Sequence, residues 1–310
     1  MDSRKNDEHP SPQRRPDWLK IRLRTDGAYQ NVNGLISRLS LNTVCTEARC
    51  PNIYECWGQG TATFMILGDV CTRHCGFCSV AKGAPNALNP HEPERVAEAV
   101  ESLGLSFAVV TSVDRDDLPD EGAGHFAETI RAIRRRTPGC RVEVLIPDFN
   151  GRTGLLQVVL EASPDCLAHN VETVSRLYRR VRPVADYTNS LKVLEHSALW
   201  REAKNVEMAV KSGIMVGLGE TMEQVLDTLR DIAGTGCDIV TVGQYLPPKK
   251  AALPLDRFYT PEEFAFIRDE GMKMGFKHVE SGPLVRSSYH AKTQVERVKK
   301  TGAPAAQGTD

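Results

Sequence analysis

The stretch TATFMILGDVCTRHCGFC, residues 61–78, sets a short apolar run directly against three cysteines. Residues 61–68 read as a strand, and the cysteines follow on its carboxyl-end loop with the spacing C-x3-C-x2-C. Working outward, apolar runs recur at 106–113, 141–148, 165–172, 206–217 and 237–246. Amphipathic, charge-rich segments separate them, and their helices are expected to begin near Glu92, His125, Thr153, Asp186 and Thr221. Such alternation builds a parallel sheet from successive βα units. Six units fall short of the eight that close a full barrel. The expected fold is therefore α/β, a partial (β/α)6 TIM-like barrel, with a doubly wound open sheet as the alternative. Both architectures gather function at the carboxyl ends of their strands, which is where the 71–78 loop lies.

A chain of 310 residues, 41% of them hydrophobic, can bury a large core in one domain. Its 39 basic and 40 acidic residues leave a net charge of -1, so nothing draws it in bulk to nucleic acid or to a membrane face. No uncharged apolar run approaches a membrane span, and the first twenty residues carry acids in place of a signal-type apolar segment. A cytoplasmic protein is expected. Nine cysteines in a reducing compartment point to metal or catalysis before disulfides. Residues 1–15 and 301–310 read as disordered ends. Residues 16–60 form an N-terminal extension, 61–285 the barrel, and 286–300 a C-terminal segment.

A second cysteine triad, CTEARCPNIYEC at 45–56, precedes the first with the spacing C-x4-C-x5-C. Structural zinc takes four ligands in a closed tetrahedron, usually from two closely spaced pairs. Two separate triads suit 4Fe-4S clusters better, since three thiolates bind three iron corners and leave the fourth for another ligand. A zinc-stabilised binding protein without catalytic activity is the alternative from another class. Cys140, Cys166 and Cys237 sit at strand beginnings and read as small buried hydrophobes.

C-x3-C-x2-C after the first strand of a six-unit barrel resembles the radical S-adenosylmethionine superfamily, in which the open iron is chelated by the methionine amino and carboxylate groups. Phe77 corresponds to the aromatic position near the adenine. The two triads together with RSSYHA at 286–291 resemble the lipoyl synthase family. So do RRPDWLKIRL (14–23), TSVDRDDLPDEGA (111–123), VEVLIPDF (142–149), HNVETV (169–174), VRPVADY (181–187), GLGET (217–221) and GQYLPP (243–248), a likeness spanning residues 14–291.

This resemblance implies two 4Fe-4S clusters, one on Cys71, Cys75 and Cys78 and an auxiliary one on Cys45, Cys50 and Cys56. A serine of RSSY supplies the auxiliary cluster's fourth ligand, with Ser288 favoured over Ser287. The implied reaction inserts sulfur at carbons 6 and 8 of an octanoyl chain carried on a lysine. It uses two S-adenosylmethionine molecules per lipoyl group and draws its sulfur from the auxiliary cluster. Implied partners are octanoylated carrier domains (the acyltransferase subunit of 2-oxoacid dehydrogenases, the glycine cleavage H protein), a ferredoxin or flavodoxin reductant, and a carrier that rebuilds the cluster. Biotin synthase-like and methylthiotransferase-like enzymes are the neighbouring alternatives. The N-terminal extension and the RSSY segment must meet over the barrel mouth.

Other positions carry two readings each. Arg286 holds the serine ligand or makes a surface salt bridge. Asn170 and Glu172 contact S-adenosylmethionine, or Glu172 is a solvated first-turn residue. Arg182 grips a carboxylate or pairs with a neighbouring acid. Many radical S-adenosylmethionine enzymes have Gly-Gly-Glu after the second strand; TSVDRDD stands here, leaving Thr111 and Asp114 to meet the methionine group. The glycines of GLGET lie where backbone can approach a ligand.

Overall fold

The computed structural model describes residues 14–19, 27–47, 50–58, 63–248 and 252–302. Most of the two ends expected to be disordered, 1–13 and 303–310, lies outside them. The N-terminal extension holds α1 (Gly27–Arg38), β1 (Asn42–Thr43), α2 (Val44–Glu47) and α3 (Ile53–Gly58). The barrel opens with β2 (Thr63–Ile66), then a small ribbon of β3 (Val70–Cys71) and β4 (Ala81–Lys82) brackets the cysteine loop. There follow α4 (Glu92–Ser102), β5 (Phe107–Ser112), α5 (Ala123–Arg136), β6 (Arg141–Leu145), α6 (Thr153–Glu161) and β7 (Cys166–Ala168). Then come α7 (Tyr178–Val181), α8 (Tyr187–Lys204), β8 (Ala209–Val216), α9 (Met222–Gly234) and β9 (Ile239–Gln244). The chain ends through α10 (Pro261–Lys273), β10 (His278–Gly282) and α11 (Ala291–Gly302).

The main sheet runs β1-β2-β5-β6-β7-β8-β9-β10, parallel throughout except for β1, which pairs antiparallel with β2 at one edge. It curls into a partial barrel and does not close, since among the described residues no ladder joins β1 or β2 to β10. All six expected strands are present, and β10 adds a seventh parallel one. Its sequence, HVESG, is short and half polar, with His278 and Glu280 bonded to each other at 2.9 Å, so it lacks the apolar run that marks the others.

Local chemistry explains the helix starts. Thr221 and Thr260 form capping boxes with Gln224 and Glu263, and Asp186 accepts the backbone N–H of Asn189. Pro93 and Pro261 stand in the first helical positions, where a missing N–H is no loss. Helices pack on the outer face of the sheet around Val96, Val100, Ile130, Ile133, Val225 and Leu229, all essentially inaccessible.

A smaller core lies on the inner face, where Ala291, Val295 and Val298 of α11 pack against Phe107, Val109, Cys166, Ala209 and Ile239 near the strand starts. The C-terminal helix thus fills the lower barrel. Cys140, Cys166 and Cys237 are buried at strand beginnings, as expected. Among the described residues no helix is long and apolar enough to cross a membrane.

Candidate active site

The loop carrying Cys71, Cys75 and Cys78 caps a cleft at the carboxyl ends of the strands, with a volume of about 730 Å³ including its open side. Phe77, Thr111, Asp114, Asn170, Glu172 and Arg182, drawn from loops and a strand end far apart in sequence, all line it. Thr111 is fixed by donating its hydroxyl to the Leu145 carbonyl at 2.8 Å. Asp114 donates its backbone N–H to Cys71 Sγ at 3.3 Å, and its carboxylate lies 3.5 Å from the same sulfur.

Arg73, unremarked in the sequence, holds this loop in place. Its side chain is 2% exposed and bonds Asp116, Asp148 at 2.7 Å and Asn150 at 3.2 Å, tying the cysteine loop to the ends of β5 and β6. The lone arginine of CTRHC facing the acids of TSVDRDD was the signal available. The departure from Gly-Gly-Glu therefore has a structural reading, because those acids anchor the cysteine loop.

Arg182 Nη1 donates to the Asn170 carbonyl at 3.0 Å and to the Tyr178 hydroxyl at 2.8 Å, while its Nε has no protein partner. Among the described residues none of its hydrogen bonds goes to a carboxylate. Asn170 donates to Glu172 at 3.1 Å and leaves its own Oδ1 unpartnered. Glu172 is half-buried in the left-handed backbone region at φ 71°, so it is not a solvated first-turn residue. His169 also lines the cleft, bonded through Nδ1 to the Ile146 carbonyl and through Nε2 to Ser190. Burial, with the Arg182 charge, brings His169 down to about 4, and it is neutral at pH 7.

Both edges of the open sheet feed the second triad. The β1 edge leads directly into Cys45, and the β10 edge leads into Val285–Tyr289. The Cys50 N–H bonds the Cys45 carbonyl at 3.0 Å, and Cys56 stands on α3. Asn52, between them, donates to the Leu284 carbonyl at 2.7 Å. Glu55 accepts from the Tyr289 hydroxyl at 3.2 Å. The extension and the RSSY segment do meet. Arg286 is half-buried beside Cys50 and forms no ion pair among the described residues, in contrast to the salt-bridge reading. The Ser79 hydroxyl donates to the Glu47 carbonyl and links the two cysteine-bearing segments.

Burial raises the thiols of both triads. Cys71 and Cys56 reach about 12, with Asp114 adding to the first and Cys45 and Cys50 to the second. Cys75 reaches about 11, Arg182 pulling the other way. Thiols so placed stay protonated at neutral pH unless a cation stands among them. Among the described residues no three His, Cys, Asp or Glu side chains converge on a single ion. A four-iron cluster instead takes its thiolates at separate corners. Gly217 of GLGET serves packing, since a Cβ there would lie 2.2 Å from Gln244 Nε2 and 2.7 Å from the Arg257 carbonyl, whereas at Gly219 a Cβ would have room and the backbone is left-handed at φ 106°.

A partial parallel barrel whose first strand ends in a C-x3-C-x2-C loop over such a cleft defines the radical S-adenosylmethionine class, and the Radical SAM superfamily matches residues 65–232. The chain belongs, within it, to the lipoyl synthase family. Lipoyl synthase of Rubrobacter xylanophilus is 55% identical over 296 residues, covering 95% of this chain and 90% of that protein. That of Symbiobacterium thermophilum is 55% identical over 300 residues, covering 96% and 92%.

Two solved structures share the fold alone. Methylornithine synthase has a TM-score of 0.51 at 18% identity, covering 89% of this chain and 94% of that one. Streptococcus suis SuiB bound to S-adenosylmethionine has a TM-score of 0.53 at 11% identity, covering 82% and 60%. Family membership makes the chain an enzyme of the sulfur-insertion class and implies 4Fe-4S, S-adenosylmethionine and a lipoyl-carrier protein as substrate.

Proposed function

We propose that the chain inserts sulfur at carbons 6 and 8 of an octanoyl group attached to a lysine of a carrier domain, giving the lipoyl cofactor. The carriers are the acyltransferase subunit of 2-oxoacid dehydrogenases and the glycine cleavage H protein. A ferredoxin or flavodoxin supplies electrons in the cytoplasm, and a separate carrier restores the consumed cluster. Alkyl C–H bonds offer no acidity to a side-chain base, so ordinary acid-base catalysis is excluded. When bound, the cofactors supply a 5'-deoxyadenosyl radical for hydrogen removal, once per sulfur, and sulfide for the new bonds.

The protein's own part is holding and shielding. Cys71, Cys75 and Cys78 hold the radical-generating 4Fe-4S cluster; Cys45, Cys50, Cys56 and Ser288 hold the auxiliary one. Asn170 and Arg182 line the cleft, and Arg182 Nε and Asn170 Oδ1 are buried there without a protein partner, a donor and an acceptor of the kinds that a methionine carboxylate and ammonium require. Phe77 packs near the adenine, and Thr111 and Glu172 complete the S-adenosylmethionine wall. Arg286, beside Cys50, offsets the negative charge of a thiolate-bound cluster.

The observation that carries this reading is the Asn52–Leu284 bond of 2.7 Å, which joins the N-terminal triad to the serine segment across 232 residues. The test is an anaerobic assay with reconstituted protein, an octanoyl-lysine peptide and S-adenosylmethionine. Thiolated octanoyl product with 5'-deoxyadenosine is expected. Activity on dethiobiotin or a nucleoside with no thiolated octanoyl product overturns the reading, as does colourless, zinc-bearing protein without acid-labile sulfide.

A further inference from the structure

Among the described residues, contacts of two different characters hold the seam between the N-terminal extension and the serine turn. Near Cys50, Asn52 is 4% exposed and its bond to the Leu284 carbonyl is short, at 2.7 Å. Near Cys56, Glu55 is 46% exposed on its side chain and makes longer contacts. It accepts from the Tyr289 hydroxyl at 3.2 and 3.3 Å and lies 3.3 Å from His290 Nε2. The Tyr289 and His290 rings stack at 3.8 Å, presenting both donors to one carboxylate. His290 takes a left-handed backbone, φ 54°, which turns its ring to that side.

The serine turn belongs to the barrel. Gln294 of α11, fully buried, donates to the Tyr289 carbonyl at 2.7 Å, and Gly243 of β9 lies against Val285. Ser287 and Ser288 fall between the Leu284 and Tyr289 contacts in the chain. We propose that Glu55 is a positioning residue for the auxiliary site: by clasping Tyr289 and His290 it seats α3, and Cys56 with it, against the serine turn. The inference rests on the ligand set proposed above. Asn52 is buried, so leaving its amide unpaired costs more than losing a pair that water can replace, as at exposed Glu55. The seam therefore opens on the Glu55 side and pivots on Asn52. Opening lifts Cys56 away from the serines while Cys45, buried in the core, stays in place. That motion gives the auxiliary cluster a route to lose iron and to be rebuilt without unfolding the barrel.

The test uses the full chain with Cys71, Cys75 and Cys78 replaced by alanine, so that only the auxiliary cluster is present. It follows iron release to a ferrous chelator after dithionite reduction. Glu55→Ala and Tyr289→Phe are each expected to release iron about fivefold faster, as loss of a contact of this class allows. Their double variant should fall short of the product of the single effects, because both break one contact. Glu55→Gln, whose amide oxygen still accepts the phenol proton, should restore the parent rate and the parent electron paramagnetic resonance signal. A purely structural role would move neither in this pattern. Release at the parent rate in both Glu55→Ala and Tyr289→Phe overturns the clasp while leaving the ligand set standing. A background that holds no four-iron cluster at all overturns the ligand set, and the clasp with it.

Discussion

Gly243 is where a single methyl group should separate the two halves of the chemistry. It lies near the end of β9, under the chain that leaves β10 for the serine turn. A Cβ built on it would stand 2.2 Å from the Val285 carbonyl oxygen, 3.1 Å from its carbon and 3.4 Å from Arg286 Nη1. A carbon–oxygen contact settles at about 3.3 Å, so Gly243→Ala must push Val285 and Arg286 back by roughly 1 Å. The backbone cannot yield as a flexible side chain would, and the strain amounts to about 1–3 kcal/mol. A misplacement of about 1 Å in a reacting geometry can reduce rate on the order of a hundredfold.

The cleft over Cys71, Cys75 and Cys78 is built from other loops and should be untouched. The variant is therefore expected to make 5'-deoxyadenosine at near the parent rate, with about a hundredfold less thiolated octanoyl product. The assay is anaerobic single turnover with octanoyl-peptide, both products quantified by mass spectrometry. An unchanged ratio of thiolated product to 5'-deoxyadenosine would refute the view that the packing of Val285 on Gly243 sets the serine turn.

Further outcomes follow from the same structure. Cys75→Ala should abolish S-adenosylmethionine cleavage, whereas Cys50→Ala should retain cleavage and lose sulfur insertion; lipoyl formation by both would contradict the division of labour. Lys211 and Glu143 are fully buried and bonded at 2.9 Å on the inner face of the barrel, with Glu143 Oε2 unpartnered. Lys211→Met should destabilise by about 3–5 kcal/mol in denaturant titration, while Lys211→Met with Glu143→Leu should come within about 1 kcal/mol of the parent.

His169, held down to about 4, takes up fewer protons folded than unfolded, so its contribution is complete above the ordinary value of 6.5 and is lost as pH falls toward 4. The contribution is roughly 3 kcal/mol, and unfolding at pH 7.5 and 4.5 should show a correspondingly smaller acid loss in His169→Gln. Equal acid loss in the two proteins would rule out this titration.

Much of the fold is local and so could be read from the chain. The strand runs at 106–113 and 237–246 are apolar because both faces are covered, and the starts at Asp186 and Thr221 announce themselves through side chains that cap the next residues' N–H groups. β10 escaped because its polar residues are satisfied by each other and by neighbouring elements, which no window of sequence reveals. The anchoring role of Arg73 escaped for the same reason, since its partners stand 43 and 75 residues away.

Cysteine spacing is a property of the chain, and thiolate chemistry follows from residue type, so the existence of two triads was legible in sequence alone. Which residues surround them was not. That Arg182 Nε and Asn170 Oδ1 are left unpartnered behind the cleft that both residues line depends on how β7, α7 and α8 pack. That Glu55 reaches Tyr289 depends on a sheet that fails to close and brings its two edges to one seam. Contacts between distant segments are chosen by burial and hydrogen-bond satisfaction over the whole molecule, and only the folded chain adds up those terms.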